Sequence, residues 1–518
     1  MTWRLSAPAI VLAAFLLLPF LNKPFTIDDP LFLREARHAL ADPRHPADFE
    51  QVWNAGERYK LSQYLLGGTL PAYVLAPVAA LGNREWLAHL YQFLILCGLL
   101  AAAVAVARRL GCDARQAGAV GMLVAANPVT LAMASTTMPD VMALAFGLAA
   151  MERLLAYRDA GRVSAGVAAG VLFGAAVLCR ASTAPMLAAG ALLVMPSDWR
   201  RAASRWWPLA LAVLLVVASD LLTRGADSAL RSPVQLLTQW RNVPRNLASF
   251  LGFQAMTGPL LAYALLSRGW KFAAAVAGVA ALGIGLAVGV HSPNLAQYAV
   301  PAALGLCFVA ACAWLLRGVP YALPLTVWLC SGLVALPYVQ MAAKYLLPGV
   351  PAAALLIVLH AGKLRQPRWP LTLALLVASG WLCGAAIVVG DATLAGSQRA
   401  AVERMISPRL RRGLKVWAGG QWAFLSYAED AGARALANTP PLPEPGDYLV
   451  ISRLDYYGML RRLPLRLELL NTEKDERCGV FVLNRGLHAG FYSNHFGYLP
   501  FALGCGEVNA YDLYRVMP

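Results

Sequence analysis

The sequence predicts a mainly α-helical, polytopic membrane bundle carrying a small α/β domain at its C-terminal end, outside the cytoplasm. Three observations carry that reading. The composition is 59% hydrophobic and only 14% charged over 518 residues, against roughly 45–50% apolar and about 25% charged in soluble proteins. Apolar runs of the length needed to cross hydrocarbon recur along most of the chain. Past residue 390 the apolar runs stop, and charged residues, "TPPLPEPGDY" and short alternating stretches such as "DYLVIS" and "CGVFVLN" follow.

About thirteen transmembrane helices are expected, since runs of about 17–25 apolar residues suffice for a crossing. The first covers 5–21. No small-residue cleavage site follows it in "PFLNKPF" and many spans come after it, so it is read as uncleaved. The next are expected at 86–107, 117–135, 139–156, 163–179, 183–195 and 206–223. Six more are expected at 256–267, 272–290, 297–316, 319–338, 345–361 and 369–389.

The excess of basic residues, 44 Lys and Arg against 28 Asp and Glu, is no footprint of nucleic-acid binding, because it gathers in short loops beside apolar runs. That is the pattern that orients membrane proteins. With the N-terminus in the cytoplasm, the inside loops hold Arg108, Arg109 and Arg115, then Arg153, Arg158 and Arg162, then Arg200, Arg201 and Arg205. Arg268 with Lys271, Arg317, and Lys363, Arg365 and Arg368 complete the set. The same parity places the 22–85 loop, the turn at Asp140, Arg180, the 224–254 loop and Lys344 outside. The expected division is 1–390 for the membrane module and 391–518 for the soluble domain. Cys478 and Cys505 are candidates for a disulfide in an oxidising compartment, and the other seven cysteines are expected as buried thiols.

Ionisable residues near the outer face are then the candidates for chemistry, because charge at membrane depth is costly. "TIDDPLFLREARHAL" sets Asp28 and Asp29 just beyond the first span, ahead of an amphipathic segment with Leu31, Ala36 and Leu40 on one side. The plainer reading is a helix N-cap, with Pro30 at the first turn. Asp140, in "STTMPDVMALAF", admits the same plainer reading, and Arg180 and Lys344 taken singly are interfacial cations. Together they place carboxylates and cations at one depth. That pairing suits transfer from a lipid phosphate: a carboxylate takes the acceptor's proton, and a cation neutralises the departing phosphate.

With these motifs the chain resembles the GT-C glycosyltransferases that use polyprenyl-phosphate sugars, particularly glycosyltransferase family 39 and its Rgt-type relatives. That group includes protein O-mannosyltransferases and lipid A aminoarabinose transferases. The outside acid pair, "LGGTLPAYVLAPVAALGNREWLAHL", "NPVTLAMASTTMPDVMALAF" and "KYLLPGVPAAALL" occur in the family's order. The resemblance implies a GT-C bundle in a bacterial inner membrane. Its activity would be inverting transfer of a monosaccharide on the non-cytoplasmic face, to an envelope glycan, a lipid or a protein. It implies Asp28 as general base, Asp29 in support, Asp140 shaping the site, and Lys344 with Tyr345 on the donor phosphate. Arg180, Arg241 and Arg245, and more weakly Arg224 and Arg231, are further phosphate candidates. The pair departs from the family where Asp29 stands in place of a common Glu.

No cofactor is expected: the resemblance favours a metal-free site, a divalent metal being what some other GT-C enzymes use, and His38, His45 and His291 lack zinc-ligand spacing. The absence of a Walker or dinucleotide glycine loop argues against nucleotide sugars. A secondary transporter or flippase is the rival reading, but no inverted repeat is evident and the candidate charges gather at one face. A non-enzymatic scaffold is a further rival, which would leave the acid pair without a reason. The aromatics of "FYSNHFGYLP", Phe491, Tyr492 and Tyr498 with His495, are read as a small core in preference to a sugar-stacking surface.

Overall fold

The computed structural model describes residues 2–53, 56–64, 68–195, 202–224, 239–268, 275–276, 278–279, 282, 293–366, 368–454, 460 and 463–518. It is a helical membrane module with a small mixed sheet at its C-terminal end, so the expected fold class is borne out. Among the described residues five helices are long and apolar enough to cross a membrane, or seven if two sharply bent pairs each count once; five shorter apolar helices accompany them. The expected span at 272–290 lies mostly outside the described residues.

Several expected spans are broken, and the sequence supplies the reasons. The run at 117–135 divides into Ala114–Ala125 and Pro128–Ala134, bent by 62°. Asn127 caps the second piece, its Oδ1 accepting from the N–H groups of Val129 at 2.9 Å and Thr130 at 3.3 Å, and Pro128 takes the first helical position. Val243–Thr257 and Pro259–Arg268 meet at 56° across Gly258 and Pro259. The run at 183–195 yields only Pro185–Leu193 as α-helix, about 13 Å at 1.5 Å per residue and far short of the roughly 30 Å core. The run at 319–338 passes from α-helix (Ala322–Leu329) into 3₁₀-helix (Cys330–Ala335).

The first helix, Thr2–Leu17, runs on as a 3₁₀ turn through Phe20. The chain then turns into the helix Asp29–Ala41, which packs on Leu70–Ala80 and on Trp422–Asp430 of the soluble domain. Leu31 and Ala36 are buried, but Leu40 is 52% exposed. Nine residues make two and a half turns, so Leu40 lies opposite Leu31, and the expected shared face is corrected.

The last membrane helix, Trp369–Ala401, carries straight through the expected division at 390/391 and reaches Leu410 by a π-turn at Val402–Ile406 and a final turn at Ser407–Leu410. Leu371, Leu375, Leu382 and Val389 are exposed along one stripe, the face such a helix offers to lipid. Hydropathy falls near Asp391 because polar residues there turn inward on a continuing helix: Asp391, Ser397 and Gln398 are fully buried.

The sheet begins only at Val416, with strands β3 (Val416–Gly419), β4 (Arg434–Ala435), β5 (Tyr448–Ser452), β6 (Arg466–Phe481) and β9 (Ala502–Met517) in the order β4-β3-β5-β9-β6. The β3 strand is parallel to both its neighbours, and β9 is antiparallel to both of its own. Cys478 and Cys505 face each other across β6 and β9 and form a disulfide. Of the seven free cysteines four are buried and three half-buried.

Among the places where this sheet meets the rest of the chain, two bear on the site. The hairpin of β1 (Glu50–Trp53) and β2 (Glu57–Lys60) lies on it, with Asn438 N–H donating to the Gly56 carbonyl at 2.9 Å. The segment 491–496, which follows the short pair β7 (Leu483–Asn484) and β8 (Ala489–Gly490), returns into the membrane module. There Phe491, Tyr492 and Phe496 join the main hydrophobic core. Phe491, Tyr492 and Tyr498 are all buried, as a core reading of those aromatics expects, while His495 is exposed and hydrogen-bonds through Nε2 with the Val339 carbonyl at 3.0 Å.

Candidate active site

The acid pair is split by the turn that carries it. Ile27 adopts φ +44°, a left-handed conformation that costs an L-residue roughly 1–2 kcal/mol, and the reversal sends the two carboxylates in different directions. Asp28 sits at the N-cap position of Asp29–Ala41, yet its side chain makes no capping bond. Its Oδ2 instead accepts from Lys344 Nζ at 3.1 Å, with the Asp28 side chain 24% exposed. Asp29 is fully buried. Its Oδ2 accepts from Thr26 N–H at 3.0 Å and its Oδ1 from Thr137 N–H at 2.7 Å. One acid is thus partly open to solvent, and the other staples the first loop to the turn before Asp140.

Burial raises the Asp29 carboxyl to about 6, against the opposing pull of Lys23 and the two backbone donors. Lys23 belongs to a second, wholly buried layer. Lys23 and Asp391 form an ion pair with neither side chain exposed, and Asp391 Oδ1 also accepts from Thr26 Oγ1 at 3.0 Å and Tyr492 OH at 2.8 Å. The Tyr492 phenol is pushed well above its ordinary range by burial and by Asp391, so it remains a neutral donor.

Two of the cations expected at the site, Lys344 and Arg180, gather there. Lys344 opens the 3₁₀ segment Ala343–Gly349, is 5% exposed, and lies 3.6 Å from Met138 Sδ. The guanidinium of its neighbour in space, Arg180, stacks over the Tyr345 ring at 5.7 Å and pairs through Nε with Asp140 Oδ1 at 3.1 Å. Asp140 begins the helix Asp140–Ala160, where the helix dipole favours a carboxylate, and its buried Oδ2 has no hydrogen-bond partner. Tyr338 meets Tyr345 edge-on at 6.2 Å. Asp28, Asp140, Arg180, Lys344 and Tyr345, from four separate segments, therefore form one continuous cluster of two acids, two cations and a phenol.

Arg245 and Arg241 stand apart. Arg245 is spent on the Val339 carbonyl, 2.6 Å from its Nη2, and Arg241 is exposed in the turn Trp240–Asn242. Neither belongs to the cluster: Arg245 reaches the 336–341 loop, and Arg241 lies at the surface. Arg231 and the side chain of Arg224 lie outside the described residues, as does His291. Among the described residues no group of three His, Cys, Asp or Glu is arranged to hold a metal ion.

Sequence reasoning missed Lys23, Asp391 and the supporting role of Tyr492. Lys23 was visible as a charge directly after a span, but its partner is 368 positions away.

Residues 68–222, which include Asp140 and Arg180, match the family model of dolichyl-phosphate-mannose-protein mannosyltransferases. No curated protein sequence matches the chain. Among solved structures the chain is similar to the archaeal oligosaccharyltransferase AglB from Archaeoglobus fulgidus, in complex with an inhibitory peptide and a dolichol-phosphate. The TM-score is 0.49 at 10% identity over 87% of this chain and 69% of that one. It is similar to ArnT from Cupriavidus metallidurans bound to undecaprenyl phosphate, with a TM-score of 0.46 at 17% identity over 89% of this chain and 95% of that one. The arabinofuranosyltransferase AftD from Mycobacteria gives a TM-score of 0.42 at 15% identity over 99% of this chain and 40% of that one. Over residues 68–222 the family match agrees with the resemblance drawn from the sequence.

Proposed function

We propose that the chain transfers a monosaccharide from a polyprenyl-phosphate donor to an envelope glycan, lipid or protein acceptor on the non-cytoplasmic face of a bacterial inner membrane, with inversion. The observation that carries this reading is the Asp28–Lys344 contact at 3.1 Å, in which a partly exposed carboxylate meets a nearly buried ammonium beside the Arg180–Tyr345 stack.

The acceptor hydroxyl attacks the anomeric carbon from the side opposite the phosphate. Asp28 takes its proton as the new C–O bond forms, and the bond from the anomeric carbon to the phosphate oxygen breaks with its electron pair on the phosphate. Lys344 and Arg180 offset the charge that develops there. With donor bound, the Lys344 ammonium shifts its partnership from Asp28 toward phosphate and so frees the carboxylate to act as base. Asp29 fixes the turn that aims Asp28, and Asp140 fixes Arg180. The match of 68–222 to a family that uses dolichyl-phosphate mannose supports the donor class.

The test is donor turnover. The purified full-length chain, supplied with a panel of polyprenyl-phosphate sugars and isolated envelope membranes, is expected to release free polyprenyl phosphate from one of them. Its Asp28→Asn variant should release none. Equal release by both forms contradicts the assignment of Asp28, and release by neither from any donor contradicts the reaction.

A further inference from the structure

The loop that presents Lys344 is held in place from outside the membrane module. Met341, three residues before Lys344, exchanges two hydrogen bonds with Asn494 of the C-terminal domain: Met341 N–H donates to Asn494 Oδ1 at 3.0 Å, and Asn494 N–H donates to the Met341 carbonyl at 2.9 Å. Ala343 N–H, next to Lys344, donates to the Phe491 carbonyl at 2.7 Å. The remaining end of the Asn494 side chain, Nδ2, donates to Asn246 Oδ1 and to Ser249 Oγ, each at 2.9 Å. Asn246 in turn donates to the carbonyls of Leu336 at 2.9 Å and Tyr338 at 2.8 Å. One amide, 2% exposed, thus ties together the helix Val243–Thr257, the 336–343 loop and the C-terminal domain, and every polar atom of its side chain is used. A buried polar network satisfied at every member specifies one geometry.

The segment is built for that insertion. A Cβ on Gly490 would stand 2.2 Å from the Gly497 carbonyl oxygen, and one on Gly497 would stand 1.9 Å from that of His488. Glycine is required at both ends of the 491–496 tip for it to fold back this tightly. Phe491 and Phe496 anchor it in the membrane module's core, and Tyr492 reaches Asp391 beneath the acid pair.

We propose that Asn494 is a positioning residue for donor recognition: the C-terminal domain inserts it to set the Lys344 loop at the distance the donor phosphate requires. The C-terminal domain is then part of the donor site. This rests on the reading of Lys344 as a phosphate ligand. Because Asn494 acts through a ground-state phosphate contact and touches neither Asp28 nor the acceptor path, its loss raises the donor KM more than it lowers kcat.

The experiment titrates full-length protein in lipid nanodiscs with a short-chain polyprenyl phosphate, reads the Kd by native mass spectrometry, and records the melting temperature alongside. Asn494→Ala and Asn246→Ala are expected to weaken the probe by about tenfold to a hundredfold, the cost of roughly an ångström of misplacement. Arg453→Ala breaks an ion pair with Asp512 within the domain itself and is expected to leave the Kd unchanged. Ser249→Ala removes a single acceptor from the same knot and serves if the larger substitutions do not fold. Wild-type binding with the Asn494→Ala or Ser249→Ala protein binding equally well overturns this inference alone, as does a loss that follows melting temperature and appears equally in Arg453→Ala. A wild-type protein that does not bind the probe, with Lys344→Met no different, overturns the donor reading and this inference with it.

Discussion

Lys23 and Asp391, 368 positions apart, form an ion pair in which neither side chain is exposed, joining the end of the first membrane helix to the middle of the last. The pair lies directly beneath the acid pair, through Thr26 on one side and Tyr492 on the other. Taking two charges out of water is expensive, and removing one partner strands the other. Lys23→Met is therefore expected to destabilise the protein by about 3–5 kcal/mol. The double substitution Lys23→Met with Asp391→Leu should cost less than the single change, because no lone charge remains. Melting in detergent decides it, and a double variant less stable than Lys23→Met contradicts the reading.

Asp29 makes stability depend on pH in an unusual direction. Its carboxyl is raised from 3.8 to about 6 by burial, so the folded protein holds this proton more tightly than the unfolded chain. The contribution is complete below pH 3.8 and is lost as pH rises through about 6, on the order of 3 kcal/mol in all. Wild-type melting temperature should thus fall between pH 5 and pH 7.5 through this group. Asp29→Asn should remove that part of the slope, although one of its two backbone donors then faces an amide N–H₂ and the baseline is lower. An unchanged slope in Asp29→Asn contradicts the assignment.

Asp28 is expected to behave differently from its neighbour. Its side chain neither caps the helix nor bonds to backbone and is partly exposed, so Asp28→Asn, which keeps an oxygen for Lys344, should express and lose less stability than Lys23→Met. Transfer should fall by about 10²–10⁴, the usual range for loss of a general base. Near-normal turnover would remove Asp28 from the chemistry.

Arg180 and Lys344 should also separate under substitution. Arg180→Lys keeps the charge but gives up the planar stack on Tyr345 and the guanidinium pairing with Asp140, and Arg and Lys are not interchangeable at such sites. Donor affinity should fall by about tenfold, near 1.4 kcal/mol, while Lys344→Met should lose more, because the ammonium is nearly buried and directly beside Asp28. Equal donor affinity in all three proteins contradicts a phosphate role for both cations.

Much of the site was legible because each member stands at a turn between apolar runs, where a lone charge is conspicuous. Asp28, Asp140, Arg180 and Lys344 are all of that kind. Lys23 was equally conspicuous but meaningless without Asp391, and Asp391 was obscured because falling hydropathy reads the same for a helix leaving the membrane as for one turning polar residues inward. Asn494 carried no signal, since one amide in a loop acquires its role only from the two distant segments it ties to its own domain. The fold class followed from composition, whereas the helix breaks at Asn127–Pro128 and Gly258–Pro259 were hidden inside runs whose apolar character does not change across the bend. Arg241 and Arg245 fall in a stretch with no feature that reports direction, and the structure sets both apart from the cluster around Asp28.

The central claim is that a polyprenyl-phosphate sugar binds at Asp28, Lys344 and Arg180. Native mass spectrometry of gently purified wild-type protein beside its Asp28→Asn variant tests it most directly. The predicted result is a bound lipid with the mass of a polyprenyl phosphate in the wild type and its sugar-charged form in Asp28→Asn, both lost in Lys344→Met. No such lipid in either protein, after purification from membranes that contain the donor, would contradict the claim.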